Sequence, residues 1–287
     1  MKSFAYFAPR ELDEALDILK KGGENICILA GGTDVLVQLR HKKIAPDLVV
    51  DLTKINDLNY IKEEDGFIRI GACTTFTDIE KSSLINSRAS VLAEACREIG
   101  SPQIRNRGTI GGNIANASPA ADSVPALIAL GARVTIKSSC GTREVAVEDV
   151  LAGINRTTLK KDEVITEVFF KTPNEYTSSA FRKLGRRAAL SIARISIALV
   201  MEKYPDKPMY KDARVALGAV AKNPFRAEEA ESLLINRVLG EEEIKKWSEK
   251  ISEIAAKTLG NRASAPFKRE SIKGIAEEAL LKILKAD

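Results

Sequence analysis

The residues best suited to chemistry lie in one glycine-rich stretch, residues 105–132, which reads RNRGTIGGNIANASPAADSVPALIALGA. Gly108, Gly111 and Gly112 lack a β-carbon, so the backbone there can turn through φ > 0 and a bulky anionic ligand can approach peptide N–H groups. An apolar run that predicts a buried helix begins near residues 122–123. The pattern predicts a cradle for a large polar cofactor, although a glycine-rich surface loop before a core helix would give a similar motif.

A second glycine turn occurs earlier, where an apolar strand pattern over residues 26–30 runs directly into Gly31-Gly32-Thr33-Asp34 and a helical pattern follows. The first N–H groups of a helix have no partner within the helix and point at the preceding turn, so such a junction can bind an anion. Alone, the turn could equally be a tight connection. Together with the later TIGGN motif, it predicts the second side of a cofactor site.

Residues for acid–base or metal chemistry are scarce. The four cysteines show no CxxC spacing, which argues against an iron–sulfur cluster or structural zinc, and we expect them to be small buried hydrophobes. The single histidine, His41, lies among lysines, so neither a histidine-based metal site nor a Ser-His-Asp triad is supported. We therefore predict no metal site and no catalytic side chain in this chain.

Composition narrows the class of protein. Hydrophobic residues make up 45% and charged residues 29% of the 287, which excludes intrinsic disorder. The net charge of +5 is spread over a mixed surface and aromatic residues are only 5%, which argues against nucleic-acid binding. No apolar run approaches the roughly 20 residues of a membrane span, and the amino terminus lacks the apolar region of a secretory signal. We expect no membrane insertion and a cytoplasmic location.

The elements that must position the two glycine motifs alternate between strand and helix. Up to residue 52 the pattern predicts β-α-β-α-β, and a hairpin follows over residues 60–72. A composition shift at residues 172–178 predicts a linker. Beyond it come three predicted strands and then three helical patterns, over residues 227–236, 241–259 and 271–285. Strands followed by helices predict a second domain of the α+β class.

Three segments carry a family resemblance: LAGGTDVL at residues 29–36, residues 101–132, and SAFRKLGRRAALSIARISIA at residues 179–198. They resemble the FAD-binding medium subunit of the molybdenum hydroxylases, a group that includes xanthine dehydrogenase and carbon monoxide dehydrogenase. The resemblance implies an α+β fold. It implies a two-lobed FAD-binding domain of the vanillyl-alcohol-oxidase (PCMH) type over residues 1–175, with lobes of about 1–57 and 58–175. A smaller domain, similar to the carbon monoxide dehydrogenase flavoprotein C-terminal domain, would cover residues 176–287 with a three- to four-stranded sheet and helices.

The resemblance also implies which residues contact FAD. The first loop would wrap the pyrophosphate, with N–H groups of residues 31–34 donating to it, and residues 109–113 would lie on the other side. Asp122 would accept from a ribose or ribityl hydroxyl, and Lys183 would stabilise the anionic reduced flavin. The expected cofactor-binding residues are Leu29, Ala30, Gly31, Gly32, Thr33, Asp34, Val35, Leu36, Thr109, Ile110, Gly111, Gly112, Asn113, Ser118, Asp122, Ile165 and Lys183. Two of these have simpler explanations: Ile165 as core packing and Lys183 as a surface lysine.

The function that the resemblance implies is electron transfer. Non-covalent FAD would take electrons from the [2Fe-2S] clusters of a small partner subunit and reduce an external acceptor, which could be NAD, oxygen or a quinone. The molybdenum cofactor would lie in a large partner subunit, and the complex would be a heterohexamer formed as a dimer of heterotrimers. Two alternatives remain at this point: a self-contained FAD oxidase or dehydrogenase of the same fold, and a non-catalytic dinucleotide-binding protein.

Overall fold

The computed structural model describes residues 3–21, 25–187 and 190–286. The first lobe has five elements: β1 (Ala5–Phe7), α1 (Leu12–Lys21), β2 (Ile26–Leu29), α2 (Val35–Arg40) and β3 (Leu48–Asp51). Its three strands are parallel in the order β1-β3-β2. Helix α1 forms because Ala15, Leu16 and Leu19 recur on one face, and these residues pack on the sheet. The predicted β-α-β-α-β order is confirmed in this lobe.

The second lobe is built on an antiparallel sheet. Its elements are β4 (Ile61–Glu64), β5 (Phe67–Gly71), α3 (Phe76–Lys81), α4 (Ser83–Arg88), α5 (Ser90–Arg97), α6 (Pro102–Arg105), α7 (Ile110–Asn116), α8 (Ser123–Ala129), β6 (Arg133–Ser138), β7 (Gly141–Ala146), α9 (Val147–Val150), β8 (Leu151–Gly153), β9 (Arg156–Thr157) and β10 (Val164–Lys171). Five strands pair in the order β4-β5-β10-β6-β7, and the helices cover the sheet. The predicted hairpin is formed by β4 and β5.

The carboxy-terminal part contains the remaining elements: β11 (Thr177–Leu184), β12 (Ile195–Lys203), β13 (Tyr210–Gly218), β14 (Phe225–Arg226), α10 (Glu228–Glu231), α11 (Glu241–Leu259) and α12 (Ala265–Ala286). Its four strands pair antiparallel in sequence order. Strands and helices in separate runs confirm the predicted α+β class. The predicted domain boundary between residues 175 and 176 lies in the segment between β10 and β11.

The carboxy-terminal sheet packs on both faces. One face lies against α11 and α12, with Ile197 and Leu199 in that core. The other face contributes Ala198 and Ala216 to the core of the second lobe, where α8 lies. The approach is close because the facing residues are small: a Cβ added at Gly218 would lie 2.8 Å from a side-chain carbon of Pro125 on α8. The sheet is therefore shared between two hydrophobic cores.

One predicted helix is wrong for most of its length. The pattern over residues 227–236 predicts a helix, but only Glu228–Glu231 is helical. Ile235 bridges Tyr210 on β13, and the N–H of Asn236 donates to the Tyr210 carbonyl at 2.8 Å. Asn236 has φ +57°, a left-handed conformation that ends helical geometry. Tertiary pairing with the sheet thus overrides the helical propensity of this segment.

Candidate functional site

A cleft of about 390 Å³ is lined by both glycine motifs. The first lobe contributes the loop between β2 and α2, and the second lobe contributes α7 with the residues before it. Eleven of the expected cofactor-binding residues line the cleft: Ala30, Gly31, Gly32, Thr33, Asp34, Val35, Thr109, Gly111, Gly112, Asn113 and Ile165. Two segments separated by more than seventy residues in the chain therefore form one concave surface.

The β2–α2 loop presents a row of free donors. Gly32 has φ +75°, which turns the chain from the strand into the helix. Within the described residues, the backbone N–H groups of Gly31, Gly32, Thr33 and Asp34 donate to no acceptor. Partial desolvation in the cleft raises the pKa of the Asp34 carboxyl above its ordinary value. Successive unpaired N–H groups of this kind suit a phosphate or pyrophosphate.

The two glycine motifs interlock through backbone contact. A Cβ built on Gly31 would lie 1.8 Å from the carbonyl oxygen of Arg107 and 2.9 Å from the Cα of Gly108. No side chain fits there, because real carbon and oxygen atoms do not approach so closely without a bond. Glycine at position 31 therefore lets the first loop rest directly on the segment before α7.

The TIGGN segment differs from the expectation. Gly108, Gly111 and Gly112 do not have positive φ, and the last two lie inside α7. Their N–H groups are also used within the protein: Gly108 donates to Ile104 O, Gly111 to Ala72 O and Gly112 to Thr109 Oγ1. The inference that these glycines turn the chain and offer N–H groups to an anion is wrong. They serve close packing.

Two side chains of this segment keep hydrogen-bonding capacity toward the cleft. Thr109 caps α7 by accepting from Gly112 N at 3.2 Å, which leaves its hydroxyl proton free to donate. Asn113 accepts from Ser123 Oγ at 2.7 Å through its Oδ1, and its side-chain N–H₂ has no partner in the described part of the chain. Donors from α7 are therefore side chains, whereas those from the first loop are backbone groups.

Gly111→Ala is expected to lower the free energy of unfolding by about 1–3 kcal/mol, because the new Cβ would lie 2.6 Å from Cβ and 2.9 Å from O of Ala72. Because that contact is with the backbone and side chain of Ala72, stability is the first property affected. Gly274→Ala in α12 is the matched control, since nothing lies within 4 Å of its new Cβ and helix propensity favours alanine. Urea denaturation of the apoproteins measures both, and equal stability of Gly111→Ala and wild type would contradict the packing role.

Six of the expected residues are absent from the cleft lining, and four of them are Leu29, Leu36, Ile110 and Ser118. Ile110 is fully buried in the core of the second lobe, and its N–H donates to Thr74 O. Leu36 is 56% exposed, and together with Leu29 it lies against Gly32 from outside the cleft. Ser118 accepts from Ala120 N at 3.3 Å within its own loop. The structure gives these residues a role in shaping the loops.

Asp122 and Lys183 form a buried ion pair outside the cleft lining. Lys183 Nζ lies 2.6 Å from Asp122 Oδ2 and also donates to Glu98 O at 2.8 Å. The two side chains are 4% and 6% exposed, so Lys183 is not a surface lysine. Burial raises the pKa of Asp122 to about 6, while the Lys183 cation opposes the shift. The pair joins the start of α8 to β11 of the carboxy-terminal sheet.

Several residues that the sequence did not single out also line the cleft, among them Cys27, Cys73, Phe76, Asn155 and Glu163. Glu163 is held by Arg143 through two hydrogen bonds, 2.9 Å and 2.8 Å long, and this pairing lowers the pKa of its carboxyl. No motif marks these positions, which come from several separate places in the chain. The prediction that all four cysteines are buried is wrong, since Cys140 is exposed and Cys27 is half-buried.

The cleft has features that fit a dinucleotide cofactor. Besides the row of free N–H groups in the cleft, Asp122 Oδ1, which lies outside the cleft lining, is buried without a hydrogen-bond partner among the described residues and leaves an acceptor for a hydroxyl. Gly112 leaves room for the Thr109 side chain, because an added Cβ there would lie 2.8 Å from Thr109 Oγ1. No group of three His, Cys, Asp or Glu side chains in the described residues could hold a metal ion. The arrangement is that of a protein that binds a large phosphorylated cofactor.

Comparisons with known proteins cover nearly the whole chain. Residues 2–173 match the family described as FAD binding domain in molybdopterin dehydrogenase, and residues 179–283 match the CO dehydrogenase flavoprotein C-terminal domain. The chain is 35% identical to the nicotinate dehydrogenase FAD-subunit of Eubacterium barkeri, over 99% of this chain and 97% of that protein. It is 32% identical to the glyceraldehyde dehydrogenase medium chain of Sulfolobus acidocaldarius, over 98% of each chain.

Solved structures give the same result. Carbon monoxide dehydrogenase from Hydrogenophaga pseudoflava, in a form that lacks the Mo-pyranopterin moiety, matches with a TM-score of 0.91 and 31% identity, over 98% of this chain and 96% of that chain. Quinoline 2-oxidoreductase from Pseudomonas putida 86 matches with a TM-score of 0.90 and 27% identity, over 100% and 99%. The chain belongs to the FAD-binding medium subunits of the molybdenum hydroxylases, and it is an oxidoreductase subunit.

Proposed function

We propose that this chain is the electron-transfer subunit of a molybdenum-containing dehydrogenase complex. It takes electrons from [2Fe-2S] clusters of a small partner subunit onto FAD and passes them to an external acceptor, while substrate is oxidised in a large partner subunit that holds the molybdenum cofactor. The assembly is a cytoplasmic dimer of heterotrimers. Support comes from relatives named as FAD subunits or medium chains of dehydrogenases.

The observation that carries the proposal is the row of four unpaired N–H groups at Gly31, Gly32, Thr33 and Asp34. We infer that these groups hold the FAD pyrophosphate, because successive backbone donors stabilise an anion without adding a counter-charge. Thr109 and Asn113 would donate from the opposite wall. Ile165, 5% exposed, would limit water at the apolar side of the cleft.

The remaining assigned residues act at the edge of the site. Asp122 Oδ1 would accept a cofactor hydroxyl, and Lys183 would keep Asp122 ionised and in place. Because the pair is neutral overall, its effect on the charge of the reduced cofactor is smaller than that of an unpaired lysine. FAD, when bound, supplies the redox chemistry, so no side chain of this chain needs to be a general acid or base.

Purification of the native complex from its source tests this proposal directly. The expected preparation shows flavin absorbance, iron and molybdenum, with two further chains that copurify with this one. Flavin on a single active chain would support a stand-alone FAD enzyme and overturn the proposal. Absence of flavin from both the purified complex and the FAD-reconstituted chain would overturn the cofactor assignment.

The cofactor assignment and the partner assignment can be tested, and overturned, independently of each other. The isolated chain, stripped of cofactor and titrated with FAD, reports cofactor binding alone. The identity of the chains that copurify with this one tests the partner assignment alone. Reduction of bound FAD by the isolated iron–sulfur subunit then tests the direction of electron flow.

Among residues 3–21, 25–187 and 190–286, no helix is both long and apolar enough to cross a membrane.

A further inference from the structure

Residues 105–108 form the wall behind the first glycine loop. The carbonyl group of Arg107 occupies the space beside Gly31, where a Cβ would lie 1.8 Å from its oxygen. Because the contact is between backbone atoms, the position of the first loop depends on the position of this wall. A displacement of residues 105–108 would move Gly31, and with it the four unpaired N–H groups.

Helix α3 holds this wall at three points. Glu80 Oε2 accepts from Arg105 Nε at 2.8 Å. Thr77 Oγ1 donates to Asn106 Oδ1 at 2.6 Å. The backbone N–H of Phe76 donates to Gly108 O at 3.0 Å. The contacts come from one face of the helix and reach three of the four residues of the wall.

The Glu80–Arg105 pair is largely shielded from solvent. The side chains of Glu80 and Arg105 are 19% and 15% exposed. Arg105 Nη1 also donates to Ile99 O at 3.3 Å, and Arg97 Nε lies 3.7 Å from Glu80 Oε1. A charge-assisted bond with limited exposure is stronger than a surface ion pair, so it can fix the start of the wall. Neither Glu80 nor Thr77 lines the cleft.

We propose that Glu80 and Thr77 are positioning residues for FAD binding. They fix residues 105–108 from outside the cleft, and that wall sets the position of the loop that carries the free N–H groups. The inference rests on the proposed FAD site at this loop.

The test is a titration of apoprotein with FAD, in which binding is monitored through the quenching of flavin fluorescence. Glu80→Gln is expected to weaken FAD binding about tenfold, because a neutral amide loses the charge-assisted bond to Arg105. Thr77→Val, which removes the donor to Asn106 at nearly constant volume, is expected to weaken it several-fold. Glu231→Gln is the matched control: Glu231 is paired with Arg226 at 2.8 Å in the carboxy-terminal part, and its loss should leave FAD affinity unchanged.

A double-mutant cycle separates positioning from a general loss of stability. If Glu80 and Arg105 act together, Glu80→Gln with Arg105→Met should lose little more FAD affinity than either single variant. Additive losses in the cycle, or equal losses in Glu80→Gln and Glu231→Gln, would overturn the inference. So would wild-type affinity in both Glu80→Gln and Thr77→Val. Failure of the wild-type apoprotein to bind FAD would instead overturn the proposed function.

Discussion

Replacing Gly31 with alanine is expected to reduce FAD affinity at least about 100-fold. The new Cβ would lie 1.8 Å from the oxygen and 2.6 Å from the carbon of the Arg107 carbonyl. Both are backbone atoms, so no change of side-chain rotamer relieves the contact. The two glycine motifs must then separate by more than an ångström, and the two walls of the cleft no longer face one another at the distance that FAD requires.

The measurement is FAD titration of the Gly31→Ala apoprotein, with far-ultraviolet circular dichroism as the check on folding. Gly66→Ala is the control, because Gly66 lies in the β4–β5 turn with φ +76° and nothing within 4 Å of its new Cβ. That change strains the backbone of a turn but leaves the cleft alone. A Gly31→Ala protein that binds FAD as tightly as Gly66→Ala would show that the loops can move apart without cost to the site.

Replacing Lys183 with alanine is expected to lower the free energy of unfolding of the apoprotein by about 3–5 kcal/mol at pH 8. The loss is large because Asp122 would stay buried without its partner at 2.6 Å, so at pH 8 its carboxyl must either remain charged without a counter-ion or take up a proton, and each costs free energy. Lys246→Ala is the control for the same change at an exposed pair, where Lys246 and Glu242 are 63% and 75% exposed. That variant should lose less than about 1 kcal/mol.

The pH dependence gives the Lys183 prediction a second test. The pKa of Asp122 in the fold is raised to about 6 by burial, above its unfolded value of 3.8. The folded protein therefore binds more protons than the unfolded chain between these values, and this group makes stability fall as pH rises through that window. Without Lys183 the folded pKa rises further, so the fall continues above pH 6. The destabilisation by Lys183→Ala should thus be small near pH 5 and large at pH 8.

Removing both charges should restore most of the lost stability. Lys183→Met combined with Asp122→Asn leaves no unpaired buried charge, so its stability at pH 8 should exceed that of Lys183→Ala. Urea denaturation at pH 5 and pH 8 measures all of these variants. A pH-independent loss in Lys183→Ala would mean that packing of the lysine stem, rather than charge pairing, stabilises the fold.

The sequence predicts the elements of this fold well where local pattern decides them. Helix α11 has the predicted bounds, Glu241–Leu259, because hydrophobic periodicity and flanking turn residues agree there. The helix predicted over residues 227–236 is wrong near Ile235, because the pairing of Ile235 with Tyr210 is a contact between distant parts of the chain. Helix α12 begins earlier than its predicted start at residue 271, at Ala265.

For the site, too, local patterns were predicted from the sequence, whereas contacts between distant residues were not. Both glycine motifs could be assigned to one site because glycines near a helix start have a recognisable pattern. The reason for each glycine could not be predicted. A side chain at position 111 would collide with Ala72 and one at position 31 with Arg107, and neither neighbour is close in sequence. The pairing of Asp122 with Lys183 was equally invisible, since these residues were assigned separate roles toward the cofactor. Which of the assigned residues touch FAD stays a prediction.

The shared carboxy-terminal sheet limits how far the two family domains can act as independent modules. Ala198 and Ala216 complete the core around α8, while Ile197 and Leu199 on the opposite face belong to the core of α11 and α12. A fragment that ends near residue 175 would leave α8 uncovered, and the cofactor cleft is built on residues adjoining that helix. In evolutionary terms, the second domain could be exchanged between relatives only together with a matching surface on the first.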